Sequence, residues 1–199
     1  MRWALRFGII LVVAWLAFLA SPFMAVHSLA RTVETRDLAA IEARVNFVSL
    51  RGLLVQQIID AYLKAGSGQD LDPAQRRLAA SAGASLADPI VARLATPQAL
   101  LDLFEDGWPE AVAGLKPADE TRGGLAMDWV SLEQADRLFA GAETRGFRKI
   151  YISLPVDRPQ DERFRLYLRL KGTTWRLMGV DLPLSLRHRL VKDLPRPSA

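Results

Sequence analysis

The run from Phe7 to Val26 holds 20 residues without a single charge. As a helix it extends about 30 Å, the hydrocarbon thickness of a bilayer. Its densest part is Phe7–Ala20, where Phe7, Ile9, Ile10, Leu11, Val12, Val13, Leu16, Phe18 and Leu19 together favour membrane insertion by roughly 3–5 kcal/mol. A helix this apolar on every side is rare inside a soluble domain. A cleaved signal peptide is the nearer alternative, because Arg2 and Arg6 ahead of a short apolar run also describe one. Cleavage needs small residues at −1 and −3. Ala20 and Ala25 are preceded at that spacing by the bulky Phe18 and Phe23, and Ser28-Leu29-Ala30 lies well past the dense run. The expectation is therefore a retained single-pass anchor over residues 1–26, with the lipid bilayer as partner.

Arg2, Arg6 and the terminal amine form a short basic flank that the positive-inside rule keeps in the cytoplasm. The rest of the chain is then expected on the periplasmic side of a bacterial inner membrane. Ser21-Pro22 reads in two ways, as a kink within one long helix or as the cap and first residue of a second helix. In either case Val26, Leu29, Ala30 and Val33 repeat at helical spacing, so an amphipathic helix leads into the domain.

The chain's +4 formal charge and pI near 9.8 invite a nucleic-acid reading, which the distribution of charge opposes. Arg2 and Arg6 carry two of the positive charges and residues 184–199 a net three, leaving residues 7–183 at −1. A near-neutral body offers no footprint for a phosphate backbone. With no cysteine, thiolate chemistry and Cys-ligated metals are excluded.

Residues 27–183 read as one α+β domain. Asp37 caps a short helix that ends near Val45-Asn46, and a longer one follows from Phe47 to Ala65, with Leu50, Leu53, Leu54, Ile58, Ala61 and Tyr62 on one face and Gly66 beyond its end. Gly66–Asp70 reads as a loop. Asp72-Pro73, Asp88-Pro89 and Thr96-Pro97 each place a capping side chain before a first-turn proline, predicting short helices over 73–86, 89–94 and 97–105. Trp108–Gly124 reads as a long connection, and Ser131-Leu132-Glu133-Gln134 as the capping box of one more helix, to about Ala140.

The period then changes to two. Phe147, Ile150, Ile152 and Leu154 suggest one strand. Phe164, Leu166, Leu168 and Leu170, alternating with Arg163, Arg165, Tyr167, Arg169 and Lys171, mark a second. A turn at Gly172-Thr173 leads into a third, with Trp175, Leu177 and Val180 inward, closed by Leu182-Pro183. An antiparallel sheet of about three strands is expected, followed by a basic tail over residues 184–199 that either is disordered or lies on anionic lipid.

No residue set carrying chemistry stands out. The two histidines, His27 and His188, lie at opposite ends of the chain, and the acidic pairs Asp70/Asp72, Glu105/Asp106 and Asp161/Glu162 sit at caps and turns. Arg163, Arg165 and Arg169 beside Tyr167 make a basic strand face, read as solvated rather than as an anion site. Nothing calls for a cofactor or a metal, and the expectation is a non-enzymatic domain.

A hydrophobic N-terminus running into a helix that ends Glu34-Thr35-Arg36-Asp37, then Val45-Asn46-Phe47, Thr96-Pro97, and a closing Trp175-Arg176-Leu177 with Leu182-Pro183, resembles the bacterial family known as domain of unknown function 2939. Asn46 stands where that pattern suggests an aspartate, which keeps the N-cap chemistry. The resemblance implies an anchored domain in which Asp37, Asn46, Phe47, Thr96, Pro97, Trp175, Leu177, Leu182 and Pro183 are structural, and it supplies no catalytic residue. Two functions follow: an envelope domain that binds a protein or lipid partner, or a small-ligand or enzymatic module similar to the nuclear-transport-factor-like cone, with a pocket between helices and a curved sheet.

Overall fold

A single helix, α1 (Arg2–Glu34), opens the computed structural model, which describes residues 2–65, 72–105, 142–144, 147–154 and 158–192. Ser21-Pro22 does not divide α1, which carries Pro22 in its interior. Among the described residues it is the one helix long and apolar enough to cross a membrane. Its two halves differ in burial. Apart from the half-buried Phe18, the large apolar side chains from Phe7 to Leu19 are 45–69% exposed, whereas Val26, Leu29, Ala30 and Val33 all lie in the core.

The end of α1 is fixed by a Schellman motif. Arg36 N–H bonds Val33 C=O at 3.0 Å and Asp37 N–H bonds Thr32 C=O at 3.1 Å, which places Arg36 at the left-handed position, φ 51°. Both guanidinium contacts of Arg36 to the Glu105 carboxylate, 2.7 and 2.8 Å, fasten this corner to a later helix. Asp37 then caps α2 (Leu38–Arg44) through Ala40 N–H, and Asn46 caps α3 (Phe47–Ala65) through Ser49 N–H, each at 3.0 Å. The apolar face expected on α3 is the one it buries: Leu50, Leu54, Ile58, Ala61 and Tyr62.

Two of the three short helices expected after residue 72 are one. Asp72 and Gln75 form a capping box at the start of α4 (Pro73–Leu94), which passes through Asp88-Pro89 without a break. A proline inside a helix costs about 3 kcal/mol. Burial of Ala87, Val91 and Leu94 on one face offsets that cost, while Pro89 itself points to solvent. Thr96 caps α5 (Pro97–Glu105) through Ala99 N–H at 3.1 Å.

The fold is α+β, with a four-stranded antiparallel sheet in the order β1 (Ala142–Thr144), β2 (Lys149–Leu154), β3 (Phe164–Lys171) and β4 (Thr174–Asp181). β1 was not expected; three residues with no apolar alternation leave no period to read. Phe147, expected in a strand, lies in the turn before β2, because the inward residues Ile150, Ile152 and Leu154 occupy the even positions and Phe147 is out of phase. Between β3 and β4 the register runs Leu168↔Leu177 but Tyr167↔Gly179, so Met178 is an extra residue that resets the alternation and lets Val180 follow Trp175 and Leu177 into the core.

Residues 184–192 correct the expectation of a disordered tail. They form α6 (Leu184–Lys192), which packs on α3 and buries Leu186, Leu190 and Val191 at helical spacing. The expected loop at 66–70, the connection at 108–124, the helix at 131–140 and the last seven residues lie outside the described residues.

Candidate functional site

Pro22 has no N–H, so the carbonyl of Phe18, four residues earlier, lacks its helical donor. The Ser21 hydroxyl supplies one, donating to Phe18 C=O at 2.7 Å. The same hydroxyl oxygen accepts the indole N–H of Trp175 at 2.8 Å. Trp175 is the first inward residue of β4 after the turn at Gly172, whose φ of +64° suits glycine. One serine thus completes a proline-interrupted helix and joins it to the sheet.

This junction lies at the end of the sheet that carries both tight connections. Leu170 N–H bonds Arg148 C=O at 2.9 Å, and Lys171 pairs with Thr174, so the turns before β2 and after β3 lie side by side. Trp15 of α1 meets Phe147 edge-on, ring centres 6.1 Å apart. Two grooves flank α1 here. One, about 430 Å³, is lined mainly by Trp15, Phe18, Phe23, Phe147, Ile150 and Trp175; the other, about 400 Å³, by Ser21, Ser28, Arg44, Thr173, Trp175 and Leu177 among others. Leu166, Leu168, Trp175 and Leu177, the residues a cone-like pocket would leave uncovered, all belong to the core cluster. Both of these grooves run along α1.

The basic strand face is largely engaged with itself. Arg165 pairs with Glu143 of β1 and stands over the Tyr151 ring, 4.7 Å from its centre, and Tyr151 stacks on Tyr167 at 4.9 Å. Arg163 Nε donates to Arg158 C=O. Across from Arg165, burial raises the pKa of Asp181, and the nearby Arg187 and Arg165 oppose that rise. Among the described residues no three His, Asp or Glu side chains converge as a metal site. His27 lies on α1 and His188 on the exposed side of α6.

The residues of the family pattern gather where helices meet β4. Asn46 N–H bonds Leu177 C=O at 2.8 Å, next to an isolated parallel bridge between Val45 and Leu177. Phe47 packs against the core, and Leu182 and Pro183 are buried where β4 ends. Thr96 and Pro97 start α5 apart from this group. Sequence reasoning missed Gln57, buried on α3, whose Nε2 donates to Val180 C=O at 2.9 Å and whose Oε1 accepts Leu182 N–H at 2.8 Å. Its signal was available: position 57 follows Leu50 by seven residues on the apolar stripe.

Residues 11–103 match the model of a family described as Protein of unknown function (DUF2939). The chain carries the DUF2939 pattern over that span. The match takes in Glu34–Asp37, Val45–Phe47 and Thr96–Pro97; the closing Trp175–Leu177 and Leu182-Pro183 lie beyond it. It also begins inside the apolar half of α1 and runs on through α2, α3 and α4 into α5. The family names no enzymatic activity. No curated protein and no solved structure matches the chain.

Proposed function

We propose that the chain is a single-pass inner-membrane protein whose periplasmic domain is a non-enzymatic binding module held directly on the membrane. The observation that carries this is the division of α1. Its first half presents a continuous apolar surface, while its second half is built into the core. Contiguous apolar surface of that extent marks membrane or protein contact. Burying α1 residues 3–20 in lipid gives about 27 Å of helix, and the chain of Arg6 reaches the headgroups by snorkelling. Arg2 and Arg6 support a cytoplasmic N-terminus.

Two measurements test the reading. The full chain should stay in the membrane pellet through alkaline carbonate and leave it only with detergent. A reporter fused after Ala199 should be active in its periplasm-dependent form. Release by carbonate would refute anchoring, and activity of a cytoplasm-dependent reporter would refute the orientation alone.

A further inference from the structure

Helix α1 leaves the domain at the sheet end that carries Phe147 and the turn at Gly172, and that end is basic. Arg148, Lys149, Arg169 and Lys171 are exposed there, with Arg176 half-buried beside them on β4. None of the five pairs with an acidic residue among the described residues. Glu143, the acidic residue beside this edge, is taken up by Arg165. Phe147, 69% exposed, projects from the turn next to Trp15, itself 52% exposed.

We infer that this end of the sheet is a second, lipid-contacting surface: Phe147 enters the interfacial layer beside Trp15, and the collar of Arg148, Lys149, Arg169, Lys171 and Arg176 binds the headgroups of anionic phospholipid. The inference rests on the anchored reading of α1. Three features favour lipid as the occupant. The apolar half of α1 continues directly into this surface without a linker, since Ser21 and Trp175 hold helix and sheet together. The roughly 27 Å of helix given to lipid falls short of the ~30 Å hydrocarbon layer, and its last turns already run beside Phe147, so the domain has no length on which to stand off. Aromatic residues flanked by Lys and Arg are the composition that the membrane interface selects, and basic residues near an anionic surface each add attraction that salt screens.

The chain has no cysteine, so single-cysteine variants L11C, F147C and L78C each accept one environment-sensitive fluorophore. Leu78, on α4 and 71% exposed, is the reference away from this end of the sheet, since nearby Gly83 packs on Tyr62, past Gln57, which holds the opposite end of β4. The labelled full chains are reconstituted into phosphatidylcholine vesicles with or without phosphatidylglycerol, each containing lipid spin-labelled near the headgroup or deep in the acyl chain. The probe at position 11 should be quenched by the deep label in both lipids. With phosphatidylglycerol, the probe at position 147 should be quenched by the shallow label at least about twofold more than the probe at 78, and K149E/K171E or high salt should reduce that ratio toward one. A ratio near one in phosphatidylglycerol, with position 11 still quenched, overturns the lipid-contacting surface and leaves the anchor standing. Loss of quenching at position 11 overturns both.

Discussion

Trp175 of β4 and Ser21 of α1, 154 residues apart in sequence, share a hydrogen bond of 2.8 Å, and the serine passes the interaction on to the carbonyl that Pro22 leaves without a partner. Ser21→Ala therefore strands two groups at once, the indole N–H and the Phe18 carbonyl. A stability loss of about 1–3 kcal/mol is expected in thermal or denaturant unfolding of the detergent-solubilised chain. Restoring a donor and acceptor with Ser21→Thr should recover most of it. An alanine variant as stable as the parent would show that the junction contributes nothing.

Gln57 closes the far end of the same strand by meeting both Val180 C=O and Leu182 N–H. Gln57→Leu keeps the volume and loses both bonds, with an expected cost of about 2–4 kcal/mol. Hydrogen exchange of the Leu182 amide reports the site directly, and its protection should drop in this variant.

Gly179 lies so close to α3 that a Cβ there would stand 2.2 Å from Leu53 Cδ1. Gly179→Ala should cost about 1–3 kcal/mol by overpacking. In a double-mutant cycle with Leu53→Ala the two losses should be less than additive, because the shorter side chain clears the space. Strict additivity would place the glycine's role elsewhere.

Asp181 sets the sign of one pH dependence. Because burial raises its pKa above the ordinary 3.8, the folded state binds this proton more tightly than the unfolded chain. Its contribution is therefore most favourable below that ordinary value and is lost as pH rises through the folded value. Asp181→Asn should flatten the stability profile over that acidic window, and Arg187→Gln, which removes a charge holding the pKa down, should widen the window. Stability curves against pH for the three proteins decide the matter.

Much of the helical layer was legible because its signals are local. Asp37, Asn46, Asp72 and Thr96 cap helices by bonding backbone within three residues of themselves, and the stripe from Leu50 to Tyr62 needs no tertiary context. Pro89 misled because a local breaker was outweighed by burial of Ala87 and Val91, which depends on what α4 packs against. The helical form of residues 184–192 was obscured in the same way, since basic residues interrupt an apolar face that only α3 completes. The site at the root of α1 was the least legible. Ser21-Pro22 read either as a kink in one helix or as the start of a second; the actual work of Ser21 depends on Trp175, a partner that no spacing rule connects to it.

On the proposed reading α1, unbroken at Pro22, is membrane-embedded on one side of Ser21 and domain-bound on the other. Labelling of L11C and M24C with a membrane-impermeant maleimide in intact cells tests that reading, because both side chains project from α1 away from the rest of the protein, 62% and 66% exposed. The expected result is no labelling at position 11 until detergent is added and ready labelling at position 24. Labelling at position 11 without detergent would contradict the membrane span, and labelling at position 24 only after the cells are opened would contradict the periplasmic side.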